Sequence, residues 1–575
     1  MTASFHPAWA ATLEGDLSQP DAQPGFTPLA PAPISHESIQ RLQTALSLLD
    51  LYKGNITGDI NALTERAVRE YQRRKGLPAT GIVDDALIEE IETAANVITL
   101  LDRLSTARKA KKDSAREALL NHPATRDLIA DTLQDETANA ARDPSLCFRT
   151  PTVRCLLDEA LESAKAVARD EMRNWVFGEL LVAQARAGLG AEARDTVRRI
   201  SDPRLIISAL GQIAKAQALS GRDEEALAAA SIIPDIVERV EAYATIAEIA
   251  ARKGRALGAT AAIAHLRKDV RSIGLDTQRI ALLAQSSIIL HRLEFERDAK
   301  VLLASLQEQA KTIKSPTHRE SALRHIARAM VMNGDMVNAG IVLTLIVEDS
   351  ERTPVMISTA EMQMSRGEGE AALATANAIK EVRFRAVVLA SIARTRAQTG
   401  QRSEAFRILV GAYAEKDHIR FPFARDYATS QIALAYAEIG ASGTTPDAAM
   451  FSRASRISEE ITDERLRAET AWLISFSRHD SGANGLEESK RMAIANVKKI
   501  KSVPARAWLL AELSENRASA GQPDWAWELF YESLKISETV TNPWGRARSL
   551  TRLAQSLIHL AEASLSTSDT TLARP

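Results

Sequence analysis

Ten histidines are spread through 575 residues, and none stands in an HExxH or HxH pattern. A zinc hydrolase therefore has no ligand set here, and no metal is expected. Neither a GxSxG elbow nor a phosphate-binding loop occurs. Gly188-Leu-Gly190 and Gly367-Glu-Gly369 imitate fragments of a nucleotide fingerprint. Both follow helical stretches, not strands, so they read as turns. The acidic pairs Glu459-Glu460 and Asp463-Glu464 read as solvated helix faces, not as an acid–base couple. Cys147 and Cys155 could close a small disulfide loop in an oxidising compartment, or remain two thiols. They form no CxxC or cysteine–histidine metal spacing. No catalytic residue and no cofactor are expected, and the chain reads as a non-enzyme.

Five of the seven tryptophans, Trp472, Trp508, Trp525, Trp527 and Trp544, fall in the last quarter. Trp525 and Trp527 are about 200° apart on a helix, so they cannot share a face. One should pack between helices, and the other is a candidate anchor for a protein partner. Larger core residues filling wider gaps are the plainer explanation.

Charges nearly cancel, 72 basic against 74 acidic, so neither nucleic acid nor an acidic membrane is an expected partner. The best basic cluster, Arg108-Lys109-Ala-Lys111-Lys112, reads as a solvated helix face. No membrane span is expected, since the apolar run Ile341 to Val347 is far too short. Residues 1–35 carry Pro20, Pro24, Pro28, Pro31 and Pro33 and read as a flexible leader. They contain no apolar run of signal-peptide length, although Ala8-Trp9-Ala10 resembles a cleavage tripeptide. A late start codon, an unconventional export route and a cytoplasmic address all stay open.

The elements that must carry these residues are helices in repeats. A glycine followed five residues later by an alanine recurs at Gly188/Ala193, Gly221/Ala226, Gly254/Ala259, Gly334/Ala339, Gly367/Ala372, Gly400/Ala405 and Gly521/Ala526. From Gly188 to Gly254, and again from Gly334 to Gly400, successive pairs are 33 residues apart. A fixed period of this size predicts stacked helical hairpins. The glycine ends one helix in a left-handed turn, and the alanine lets the next approach closely. This pattern resembles the tetratricopeptide repeat, most clearly at Gly521-Gln-Pro-Asp-Trp-Ala526 and Gly400-Gln-Arg-Ser-Glu-Ala405. Large aromatics are mostly missing from the first helices, and the closing proline appears in only some units. The spacing stretches around Asp276 to Ser315 and around Ala441 to Thr445. Arg173, Arg204, Arg239, Arg279, Arg319, Arg352 and Arg383 begin many first helices. They are expected to satisfy carbonyls at the preceding helix end, with lining of the inner groove as the alternative.

Residues 38–93 differ in kind. Leu42-Gln43 lies in a first helix, Tyr52-Lys-Gly54 turns out of it, and Gly58 marks a tight loop. Thr64-Glu-Arg-Ala67-Val68 and Tyr71-Gln72 form a second helix with Thr64 as its expected N-cap. Gly76-Leu77-Pro-Ala-Thr80-Gly81 closes it before a short third helix from Asp84. This order resembles the peptidoglycan-binding domain of bacterial wall hydrolases. Thr57, Asn61 and Tyr71 depart from the family's usual aspartate, glycine and phenylalanine. The resemblance implies contact with peptidoglycan without catalysis, through a domain whose matched positions are mostly scaffold. No segment resembles the catalytic domain of a lytic transglycosylase, amidase or peptidase.

The expected fold is all-α: a small three-helix domain, then an α-solenoid of about ten tetratricopeptide-like hairpins. The expected divisions are a leader 1–37, the small domain 38–93, a helical linker 94–145, the solenoid 146–562 and a flexible tail 563–575. The resemblances imply a periplasmic or cell-envelope adaptor that holds peptidoglycan and docks an unidentified protein on the solenoid. A cytoplasmic scaffold that has lost the ligand, and an accessory regulator of a separate wall hydrolase, are the alternatives.

Overall fold

The computed structural model describes residues 34–130, 137–139 and 141–572. The leader's prolines and Ala8-Trp9-Ala10 lie outside them. The described chain is all-α, without a strand, and forms two compact units that divide between Ala110 and Lys111.

The N-terminal unit is built from α1 (His36–Leu48), α2 (Ala62–Arg74) and the first part of α3 (Asp85–Asn121). Leu42, Leu46, Tyr52, Val68, Tyr71, Ile88 and Ile91 form its core. Ser35 caps α1 by accepting from the Ser38 N–H. Asn61 caps α2 by accepting from the N–H groups of Leu63 and Thr64. This corrects the expectation that Thr64 is the cap; Thr64 sits inside the first turn, fully buried.

The second unit begins with the end of α3, α4 (Pro123–Ala130), α5 (Ser145–Arg149) and α6 (Val153–Lys165). Leu119 and Ile129, inside the stretch 94–145, belong to its core. Antiparallel hairpins follow. They start with α7/α8 (Asp170–Arg186, Gly190–Arg198), α9/α10 (Pro203–Leu219, Asp223–Ser231) and α11/α12 (Ile236–Arg252, Ala256–Asp269). Next come α13/α14 (Asp276–Arg292, Glu296–Lys311), α15/α16 (Pro316–Met332, Met336–Thr344) and α17/α18 (Asp349–Ser365, Gly369–Asn377). Then α19/α20 (Val382–Gln398, Arg402–Glu415) and α21/α22 (Pro422–Ala441, Ala448–Ser458). The series ends with α23/α24 (Glu464–Asp480, Leu486–Lys499), α25/α26 (Val503–Ser519, Pro523–Glu538) and the unpaired α27 (Pro543–Leu572). Helix α27 runs through much of the stretch read as a flexible tail.

The repeat chemistry is visible in the turns. Gly221 (φ 80°) donates to the Ala218 carbonyl, and Arg222 donates to that of Gln217, closing α9. Ala226 and Ala259 are fully buried, where a larger side chain would push the paired helices apart. The stretched unit keeps this device without its glycine. Glu294 (φ 67°) closes α13 with the same two bonds, and Ala299 follows five residues on. A left-handed glutamate is strained, so Glu294→Gly is expected to stabilise the unit by about 1 kcal/mol. Urea denaturation of the variant beside the parent chain measures this.

The second unit closes on itself. Each first helix packs against the next first helix, from α7 to α27, and α27 then packs against α7. The second-type helix missing from α27 is supplied by α6, which pairs with it from the other end of the chain. Ten hairpins, α7/α8 through α25/α26, are thus joined by an eleventh made of α27 and α6. The expected solenoid of about ten hairpins is present, and it closes into a ring. First helices contact one another all the way round while second helices scarcely do, so the first helices form the inner wall. The seam is a true core: Leu156, Leu157 and Leu180 meet Phe530, Leu550 and Leu553.

Candidate functional site

In the N-terminal unit two glutamines act as clamps. The buried Gln43 accepts from the N–H groups of Thr57 (2.9 Å) and Gly58 (3.0 Å). Its amide donates to the Asp59 carbonyl (2.9 Å) and the Thr64 hydroxyl (3.0 Å). Gln72 does the same for the second loop, accepting from the Gly81 N–H (2.9 Å) and donating to the Thr80 hydroxyl (3.2 Å). Gly58 (φ 80°) and Gly81 (φ 75°) have the left-handed backbone that lets each loop fold back onto its clamp.

The remaining matched positions are mainly structural. Leu42 is fully buried, and the Tyr52 hydroxyl donates to the Asn55 carbonyl (2.7 Å). Gly54 lies against the Tyr52 ring, where a Cβ would collide with it. Gly76 (φ 72°) ends α2, and Leu77 is exposed beyond it. Burial, then the bond that its hydroxyl donates to Glu90 (3.0 Å), push the Tyr71 phenol up to about 12. It stays neutral and structural at physiological pH.

The surface open to a ligand comes mostly from residues the motif does not name. A groove of about 860 Å³ runs beside the end of α2 and the start of α3. Leu51, Tyr71, Arg74, Lys75, Glu89 and Glu90 line it, offering charges of both signs. Exposed Ile56, Ile60 and Leu63 flank the Gly58 loop, and Ile82 follows Gly81. Apolar residues on turn-rich segments were the available sequence signal, but periodicity reports only buried faces.

In the ring the tryptophans separate. Trp525 is 6 % exposed and packs edge-on against Trp472 and Phe476, which removes it from the partner-binding candidates. Its position on α26 points it into the gap between hairpins. Trp527 is half-buried against the seam and lies beside the exposed Tyr531. Cys147 on α5 and Cys155 on α6 are joined as a disulfide. The boundary arginines behave as capping groups: Arg173, Arg239, Arg279, Arg319 and Arg352 each donate to a carbonyl six residues earlier. Arg204 instead pairs with Asp202, and Arg383 pairs with Glu381 while Arg385 takes the carbonyl.

The inner wall carries an apolar surface on α17, α19 and α21. A cavity of about 690 Å³ there is lined by Ile357, Met364, Phe384, Phe423 and Tyr427. Phe423 is 71 % exposed, and neighbouring Phe421 is exposed too. Apolar aromatics in solvent at this density mark interaction sites more often than chance surface.

His325 on α15 is held neutral. Burial, then the charges of Arg324 and Arg328, lower it from 6.5 to about 4. As pH falls, the unfolded chain takes up this proton first, so the contribution is complete above pH 6.5 and is lost towards pH 4. The expected loss is roughly 2–3 kcal/mol. A His325→Leu variant should flatten that part of a stability–pH curve.

Residues 35–91 match the family described as putative peptidoglycan binding domain. The match supports peptidoglycan binding by the N-terminal unit. No curated protein matches the chain. Among solved structures, the chain is similar to the crystal structure of Ton1535 from Thermococcus onnurineus NA1. That likeness has 14 % identity and a TM-score of 0.29, covering 60 % of this chain and 98 % of the other. A circular tandem repeat protein with novel repeat topology and enhanced subunit contact surfaces is 12 % identical, with a TM-score of 0.15. It covers 94 % of this chain and 99 % of its own. Neither likeness carries an argument at these scores. Among the described residues, no helix is long and apolar enough to cross a membrane, and no cluster of acidic, histidine or cysteine side chains could hold a metal ion.

Proposed function

We propose that the chain is a non-enzymatic adaptor of the cell envelope. The N-terminal unit holds peptidoglycan, and the ring docks a protein partner. The family match over residues 35–91 carries the first half of this reading. The exposed aromatics Phe421, Phe423 and Tyr427 beside an inner-wall cavity support the second half. The mechanism is tethering: a weak contact with the wall raises the local concentration for the second contact.

Sedimentation with purified insoluble peptidoglycan tests the proposal. The full chain is expected to pellet, and a chain lacking residues 1–95 to lose most of that sedimentation. If neither pellets, the N-terminal unit is a fold without its ligand, and the reading as a cytoplasmic scaffold replaces this one.

A further inference from the structure

We infer that the ring carries a carbohydrate site of its own, at the seam, for a neutral N-acetylhexosamine. A cavity of about 430 Å³ opens there on the inner wall, within the range of small-ligand sites. Its residues come from α7 and α9 near one end of the unit and from α25 and α27 at the other. The site is therefore complete only in the closed ring.

Its central group is Trp175, an indole 55 % exposed to solvent yet held in place. Its Nε1 donates to Glu179 Oε1 (2.9 Å). Arg548, 369 residues away in sequence, grips Glu179 with two nitrogens (2.9 and 3.0 Å). The same guanidinium lies over the rings of Trp508 (4.2 Å) and Trp544 (4.6 Å). Ring closure thus fixes the plane of an exposed aromatic before any ligand arrives, which lowers the ordering cost of binding.

The other groups define what fits. All four charged residues lining the cavity are already paired: Glu179 with Arg548, Glu512 with Arg465, and Arg552 with Glu515. A charged ligand would find no free counter-charge. Ser208, Gln212 and Gln555 also line the cavity, and their side chains make no hydrogen bond within the described protein. A purely apolar ligand would bury these groups without partners, which is costly. What remains is a flat aromatic face bordered by neutral donors and acceptors. A pyranose matches it, with its C–H face on the indole and its hydroxyl and acetamido groups on the amides. The choice of an N-acetylated sugar rests on the wall-binding reading of the N-terminal unit.

Calorimetric titration of the full chain with a soluble trisaccharide of N-acetylglucosamine tests the inference. Binding is expected, weakened about tenfold or more by Trp175→Ala and largely retained by Trp175→Phe. Gln212→Ala, on an exposed position, should weaken it several-fold without changing the melting curve. Absence of binding to the parent chain, or equal binding by Trp175→Ala, overturns the assignment. Hydrogen exchange with the trisaccharide bound should slow in α7, α9, α25 and α27, the four helices that line the cavity. Protection confined to residues 35–91 would place the sugar on the N-terminal unit, and the seam assignment falls. A chain that fails to pellet with the wall but binds the trisaccharide through Trp175 keeps the seam site and loses only the tethering reading.

Discussion

Replacing Gln43 by leucine is expected to unfold the N-terminal unit while the ring stays folded. Leucine fills the space but leaves the Thr57 and Gly58 N–H groups and the Asp59 carbonyl without their partner, while the Thr64 hydroxyl keeps only its bond to Asn61. Each buried polar group so stranded costs about 1–3 kcal/mol, and water can reach some of these. A total of roughly 3–5 kcal/mol exceeds what a core of this size can spare. Thermal unfolding followed by circular dichroism should lose the N-terminal transition and keep the main one. Gln72→Leu, which strands fewer groups, should have a smaller effect in the same direction.

The second large effect is at the seam. Leu553 is fully buried where α27 meets α6 and α7. Leu553→Asp places a carboxylate among Leu156, Leu157, Phe530 and Leu550, with no cation assigned to it. The cost is about 4 kcal/mol or more, enough to detach α27. Hydrogen exchange should then rise sharply in α6 and α27 and only modestly in the hairpins opposite, such as α15/α16. X-ray scattering should show an expanded particle. A particle of unchanged size, with α6 still protected, would mean that the ring does not depend on this closure.

How much of this was legible depended on whether the signal was local. Helix ends were, because Gly188, Gly221 and Gly254 mark left-handed turns that only the backbone demands. The stretched unit was partly hidden, since Glu294 does a glycine's work without looking like one. In the N-terminal unit the motif positions were readable, but their roles were not. The partners of Gln43 and Gln72 are mostly backbone groups of loops, which carry no residue-type signature. Asn61 departs from the family's usual glycine, and the departure has a use, since its side chain caps α2.

Closure of the ring left a fainter trace. A hairpin series closes by pairing an orphan second-type helix at its start with an orphan first-type helix at its end, as α6 and α27 do. Counting units along the chain assigns each orphan to a degenerate repeat. The tryptophan cluster was a further hint, because Trp508 and Trp544 stack on Arg548 at the seam. Trp175, far away in sequence, belongs to the same place and gave no sign of it.

In the proposed function, wall contact resides in the N-terminal unit and depends on its clamped loops. Sedimentation with insoluble peptidoglycan decides this when Gln43→Leu and Leu553→Asp are each compared with a parent chain that already carries Trp175→Ala and so lacks the seam site. The parent chain and Leu553→Asp are expected to pellet while Gln43→Leu remains in solution. Pelleting of Gln43→Leu to the same extent as the parent chain, with its N-terminal unit shown to be unfolded, would contradict it.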